Sequence, residues 1–341
     1  MVEQGTHKPL AGGSNPPSAT TPLDALARAV DDGARRLAIP DDAAIVLAVS
    51  GGPDSMALLR GAARLVETNA RGWQLTVAHL DHALRPDGAD DARYVADAAE
   101  SLALRFEGRR TDVVALARDE GRSIEDAARE ARYRFFETVA PEGALIATAH
   151  TADDAAETVI LNLLRGSGLA GARGIPARRG RIVRPLLGER RGALRELLDA
   201  AGIDSRHDPS NEDPAFLRNR VRHEVLPLLE SIRPGAVERI GQFSRLAADD
   251  DALLDEIASA ELARRSSEDG IDWHDPPAAA LGRRVLRLAV GEPAPSAERI
   301  EALLEAASGE RGGVTIELGG GRTASVIRRV IRVSRSATQY V

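Results

Sequence analysis

Apolar positions fall into two alternating patterns along the first two-thirds of the chain. Short apolar runs at 44–49, 74–79 and 144–149 are bounded by turn residues and predict buried parallel strands. Between them apolar residues recur at helical spacing, as in Met56, Leu58, Leu59, Ala62 and Leu65. Further helices are predicted over 89–104, 112–119, 123–139 and 151–164, with a short strand at 104–108. Thr21 and Pro22 suit the start of a first helix reaching about residue 39. The alternation specifies the α/β class: an open parallel sheet, Rossmann-like, with helices on both faces and ligands beyond the carboxyl ends of its strands.

After Pro214 the pattern changes. Helical periodicity covers 216–230, 233–263 and 296–307, and β-type runs follow at 313–318, 323–327 and 330–333, with turn glycines at 319–321. The expected organisation is a disordered leader at 1–21, rich in Gly, Ser, Pro and Thr, and a catalytic α/β domain at 22–215. A helical linker at 216–245 and a small α+β module at 246–336 complete it. The module is a candidate for substrate binding or for a homodimer contact.

Composition removes several chemistries. Cysteine is absent, which excludes disulfides, thiolate metal ligands and cysteine nucleophiles. Lys8 is the single lysine, which excludes a P-loop lysine in the domain and a lysine Schiff base. No apolar run approaches the roughly 20 residues of a membrane helix, and no secretory signal pattern opens the chain, so a cytoplasmic protein without a membrane partner is expected. The net charge of −7 argues against indiscriminate nucleic-acid coating. It hides nine arginines against one acid, Glu189, between Arg165 and Arg195, a density suited to anion or RNA-backbone contact as well as to a solvated surface.

Five segments carry candidate chemistry. The first is Ser50-Gly51-Gly52-Pro53-Asp54-Ser55, between a strand and a helix. Its glycines let the backbone approach an anion, the helix N-terminus supplies free amides, and the serines add hydroxyl donors. Asp54 is placed to hold Mg2+ on the phosphates. The second is Thr148-Ala149-His150-Thr151-Ala152-Asp153-Asp154-Ala155-Ala156-Glu157-Thr158. Asp154 and Glu157 share a helix face and suit a metal, an ammonium group or a proton. Asp153 is equally well explained as a helix cap, and His150, at a strand end, is a candidate nucleotide contact. The third, 161–171, ends a helix in Arg165-Gly166-Ser167-Gly168, where Gly166 suits a left-handed C-cap. The fourth, 128–136, holds Arg129 and Arg132 for phosphates, with Tyr133, Phe135 and Phe136 expected in the core. The fifth joins the turn Asp208-Pro209-Ser210-Asn211 to Arg218, Arg220 and Arg222, of which Arg218 and Arg222 share a face suited to RNA or a triphosphate while Arg220 points elsewhere.

The first hexapeptide resembles the SGGxDS signature of PP-loop ATP pyrophosphatases, which activate a carbonyl oxygen with AMP before a nucleophile displaces it. The order of all five segments, together with His79-Leu80-Asp81-His82, Leu84-Arg85 and Arg184-Pro185-Leu186-Leu187, resembles the tRNA(Ile)-lysidine synthetase family over about 44–229. Thr151 and Ala155 stand where that family commonly has histidine and glutamine. The resemblance implies ATP and Mg2+ as cofactors, and the CAU-anticodon isoleucine tRNA and free L-lysine as partners. It implies adenylation of the wobble cytidine C2 oxygen followed by attack of the lysine ε-amine. Ser50, Gly51, Gly52, Pro53, Asp54, Ser55, His79 and His150 would bind ATP, Asp54, Asp154 and Glu157 would be catalytic, and Arg129, Arg132, Arg165, Arg218, Arg220 and Arg222 would meet phosphate or tRNA. The alternatives are another PP-loop enzyme, a tRNA thiolase or an amide synthetase such as NAD synthetase, and a nucleotide- or RNA-binding protein without chemistry.

Overall fold

A computed structural model describes residues 20–85, 87–207, 212–291, 294–309 and 313–335. Most of the expected leader and the Asp208–Asn211 turn lie outside the described residues. The chain forms two compact units, Met1–Arg165 with Gly174–Gly241, and Gly166–Arg173 with Gln242–Val341.

The first unit begins α1 (Pro22–Arg36), β1 (Ala44–Ala48), α2 (Pro53–Glu67), β2 (Gln74–Asp81), α3 (Gly88–Ser101) and β3 (Arg105–Arg110). It continues α4 (Val113–Glu120), α5 (Ile124–Val139), β4 (Leu145–Ala147) and α6 (Ala152–Leu164). After α7 (Leu169–Ala172), which belongs to the second unit, come β5 (Arg178–Arg179), β6 (Ile182–Val183), α8 (Arg191–Ala200) and α9 (Leu217–Arg220). A π-helical turn, Val221–Val225, leads into α10 (Leu226–Ile232), and α11 (Ala236–Arg265) runs on into the second unit.

The six strands pair in the order β3-β2-β1-β4-β6-β5. The first five are parallel, as expected, but β5 runs antiparallel to β6 and closes the edge with a short hairpin. Two-residue strands are too short to show periodicity, so this antiparallel edge has no counterpart among the elements expected from sequence. Strand alternation divides the core. Ile45, Leu47 and Val49 join a cluster with Leu26, Val30, Met56, Leu59 and Leu194 on one face. Val46 joins Val113, Phe135, Phe136 and Ile146 on the other. Tyr133 does not enter this core; it is half-buried and lines a cavity. The chain leaves β1 toward β2 and β3 and returns to β4 on the opposite side, so the crevice between the carboxyl ends of β1 and β4 is the topological switch point.

Close helix packing on the first face depends on missing side chains. A Cβ at Gly33 would lie 1.8 Å from the carbonyl oxygen of Pro185, and one at Gly61 would lie 2.7 Å from that of Leu26.

The second unit continues with β7 (Ser266–Ser267), β8 (Gly270–Asp272), α12 (Ala279–Val290), α13 (Ala297–Ser308), β9 (Val314–Gly319), β10 (Arg322–Ile327) and β11 (Val330–Arg335). Its antiparallel strands pair in the order β7-β8-β11-β10-β9. Trp273, Val285, Leu286, Ile300 and Leu303 pack with Leu318, Val326 and Ile331 in its core. Helix α12 has no counterpart in the elements expected from sequence.

Gly33→Ala should lower stability by about 1–3 kcal/mol or more, since backbone rather than a side-chain end must give way. Gly192→Ala, in α8 with nothing within 4 Å of the added methyl, should be neutral or raise stability by up to about 1 kcal/mol. Urea unfolding of the two variants checks the contrast; equal midpoints would contradict the packing.

Candidate active site

The turn after β1 is shaped by its own hydrogen bonds. Gly51 takes φ +91°, a conformation that favours glycine, and Gly52 is the N-cap of α2 with Pro53 following. The Ser55 hydroxyl donates to the Gly52 carbonyl at 2.8 Å and accepts from the Ser50 amide at 3.2 Å. From outside, the Arg206 amide donates to the Gly51 carbonyl at 2.9 Å. Asp54 follows in the first turn of α2, where a helix N-terminus favours negative charge.

The turn after β4 supplies the second set. Thr151 is the N-cap of α6 and forms a capping box with Asp154, whose Oδ2 accepts from the Thr151 amide at 2.9 Å. The threonine found where relatives of the resembled family commonly carry histidine thus starts the helix. The capping role uses one oxygen of Asp154 and leaves Oδ1 for the crevice. Asp153 accepts from the Arg191 amide at 2.8 Å and lies 3.3 Å from the Arg190 guanidinium, holding the start of α8 against α6.

Arg191 joins the two turns. Its Nε donates to Asp54 at 3.0 Å, Nη2 to Asp154 at 2.7 Å and Nη1 to Glu157 at 3.0 Å. Glu157, 0% exposed, also accepts from Arg218 at 2.9 Å and from Arg222 at 2.7 and 3.0 Å. Burial works to raise the carboxyls of Asp154 and Glu157, but the guanidiniums, with the Thr151 contacts in the case of Asp154, hold both below the usual range. Asp54 differs: burial pushes it up despite Arg191, and its Oδ1 is buried without a hydrogen-bond partner.

Two cavities meet at Ser50, Asp54, Arg85 and Asp91. One, of about 400 Å³, is lined by His79, His82, Arg132, Tyr133, Phe136 and His150. The other, of about 530 Å³, is lined by Gly52 and by Arg191, Arg195, Arg206 and Arg222. The first offers aromatic and imidazole surface suited to a nucleobase; the second offers guanidiniums and the glycine turn, suited to phosphates. His79 Nδ1 donates to the Val49 carbonyl at 2.8 Å. Arg132 donates to His82 Nε2 at 3.1 Å, which puts the histidine's proton on Nδ1, a buried donor without a partner. Burial holds His82 and His150 at about 4, and lowers His79 as well.

The structure brings together Asp54, Asp154, Glu157, Arg218 and Arg222, with His79, His150 and Arg132 in the adjoining cavity. The remaining arginines point elsewhere. Arg220 pairs with Glu224 at 3.2 Å, Arg129 lies over the Tyr133 ring beside Arg179, and the exposed Arg165 ends α6. Sequence reasoning did not single out Arg191, Arg195 or Arg206, and it quoted His82 in the His79–His82 segment without giving it a site role. Arginine density between 165 and 195 was the available signal, and nothing in it distinguishes Arg191 from its neighbours. Among the described residues no group of three or more His, Asp or Glu side chains is arranged to hold a metal ion.

The PP-loop domain family profile matches residues 25–229. A tRNA(Ile)-lysidine synthase from Geobacter sulfurreducens is 46% identical over 228 residues, covering 64% of this chain and 47% of that protein. Its counterpart from Thermus thermophilus is 46% identical over 220 residues, covering 64% and 42%. The one from Salinispora tropica is 40% identical over 259 residues, covering 73% and 75%. The chain thus spans less than half the length of the first two and three-quarters of the third. The U34-tRNA thiolase NcsA from Methanococcus maripaludis, solved with its iron–sulfur cluster, has a TM-score of 0.54 at 16% identity, covering 67% of this chain and 80% of that one, a likeness of fold.

Two outcomes follow from the geometry. Glu157→Ala leaves three guanidiniums without a shared buried partner and should cost about 3–5 kcal/mol in urea unfolding; a loss below about 1 kcal/mol would contradict the cluster. For His150, flanked by Asp154, Arg184, Arg218 and Arg132, the folded value of about 4 lies below the ordinary 6.5. The unfolded chain therefore takes up the proton first as pH falls, so this histidine's contribution is full above about pH 6.5 and is lost between about 6.5 and 4. NMR titration of the ring should show a midpoint near 4; a midpoint near 6.5 would contradict its burial.

Proposed function

Because the chain belongs to the tRNA(Ile)-lysidine synthase family of PP-loop proteins, we propose that it is an ATP-dependent ligase joining free L-lysine to the wobble cytidine of the CAU-anticodon isoleucine tRNA. The observation that carries this reading is the meeting of the glycine turn with the half-buried Asp54 and Asp154 and the buried Glu157 at one switch point. A site built only to bind anions gains nothing from three carboxylates.

In this reading the triphosphate lies against the 50–55 turn, its charge met by the α2 N-terminus and by Arg85, Arg195, Arg206 and Arg222. The cytidine, taken out of its stack, presents its C2 oxygen to the α-phosphorus. A bond forms between that oxygen and phosphorus, and pyrophosphate leaves. The lysine ε-amine then attacks C2, loses a proton, and AMP leaves with its oxygen. Asp154 and Glu157 hold the incoming ammonium and accept the proton it gives up to become the attacking amine. The neutral imidazoles of His82 and His150 contact base and ribose without adding positive charge there. Arg132, free of any carboxylate among the described residues, faces the same cavity and would stabilise charge on the α-phosphate. The lone Oδ1 of Asp54 fits a hard cation that draws its other ligands from phosphates and water, and Mg2+ there would neutralise phosphate charge. The helical segment from 216 carries Arg218 and Arg222 to the acidic set, and the 246–336 module engages the body of the tRNA.

The test is purified protein with ATP, labelled L-lysine and total tRNA, followed by mass spectrometry of the nucleosides. Lysidine should appear, and Asp54→Asn should lower its rate by roughly 100-fold or more. Release of pyrophosphate without tRNA, or a sulfur-containing product, would overturn the reading in favour of another PP-loop chemistry.

A further inference from the structure

The guanidinium of Arg191 fills the place where the proposed reaction needs an ammonium. Its Nε, Nη2 and Nη1 each donate to a different carboxylate oxygen, on Asp54, Asp154 and Glu157. An alkylammonium also has three N–H donors, so those three oxygens are a complete acceptor set for one. The balance of charge is closed: three carboxylates face three guanidiniums, from Arg191, Arg218 and Arg222. A further cation added there would be in excess of the carboxylates, with Asp54 Oδ1 the one oxygen of the set left without a partner.

Arg191 also has a second place to go. It opens α8, and Arg195 lies one turn further on the same face. Both line the cavity that holds the glycine turn, together with Arg85 and Arg206. The carboxylates of that cavity besides Asp54 are already engaged, Asp91 by Arg85 and Arg206 and Glu212 by His207. With a phosphate chain in it, the guanidinium gains a partner that accepts two parallel hydrogen bonds.

We propose that Arg191 is a resident substitute for the amine substrate. It holds the acidic set until free lysine enters, is displaced by the ammonium, and turns to the phosphates. This rests on the lysine-ligating reading above. It adds that amine and phosphate binding are coupled through one side chain, each making room for the other.

Titration calorimetry of L-lysine into the full-length protein tests it, with and without inorganic pyrophosphate, beside norleucine, which lacks the ε-amine. In the wild type, pyrophosphate should tighten lysine binding by about tenfold, and norleucine should show no such gain. In Arg191→Gln, lysine should bind about tenfold more tightly than to the wild type without pyrophosphate, and the pyrophosphate effect should vanish. Equal or weaker lysine binding by a folded Arg191→Gln would overturn the proposal. If that variant fails to fold, the wild-type titration decides, and no effect of pyrophosphate on lysine affinity would overturn it. Lysidine formation by the wild type separates the two levels: with it, a negative titration removes the role of Arg191 alone, and without it the underlying reading falls and takes this role with it.

Discussion

Burying like charges together is the constraint from which the rest of this site follows. Asp54, Asp154 and Glu157 come from the turns after two neighbouring parallel strands, and in a partly dry crevice they can remain ionised together only if cations are buried with them. The chain meets this with guanidiniums from α8, α9 and the π-helical turn, elements far along the sequence from either acidic turn. The first unit is therefore organised around a charge balance as well as around its sheet. Asp54 marks the limit of that balance, since one of its oxygens has no partner and burial still raises its carboxyl.

Arginine suits this task in a way lysine does not. A planar fork with five donors reaches three carboxylates at once, as Arg191 does, and Arg222 spans both oxygens of Glu157. A lysine at either position would be a single point of charge.

Much of the α/β unit was legible because its signals are local. The apolar run before Ser50, the glycines after it, and the three-residue spacing of Asp154 and Glu157 each sit within a few positions. What stayed hidden is non-local or short. No periodicity connects Arg191 with Asp54, which meet only because β1, β4 and α8 converge. The β5–β6 hairpin offers two residues per strand, too few for alternation. Helix α12 follows Pro276-Pro277 and carries Gly282, signals that point to a loop although Val285 and Leu286 are wholly buried. Asp154 serves two ends at once, one oxygen closing the capping box of α6 and the other facing the crevice.

The extended segment before residue 208 lies across the glycine turn, with the Arg206 amide on the Gly51 carbonyl, the Arg206 guanidinium 5.2 Å from the Tyr94 ring centre, and the Tyr94 hydroxyl on the Asp204 carbonyl. In a planar trans peptide the carbonyl and the next amide point to opposite sides. Tethering the Gly51 oxygen from one side therefore aims the Gly52 N–H toward the other. The orientation of a single amide plane in the glycine turn is thus set by a strap from much later in the chain, and a one-residue change in that strap's length would twist the plane it anchors.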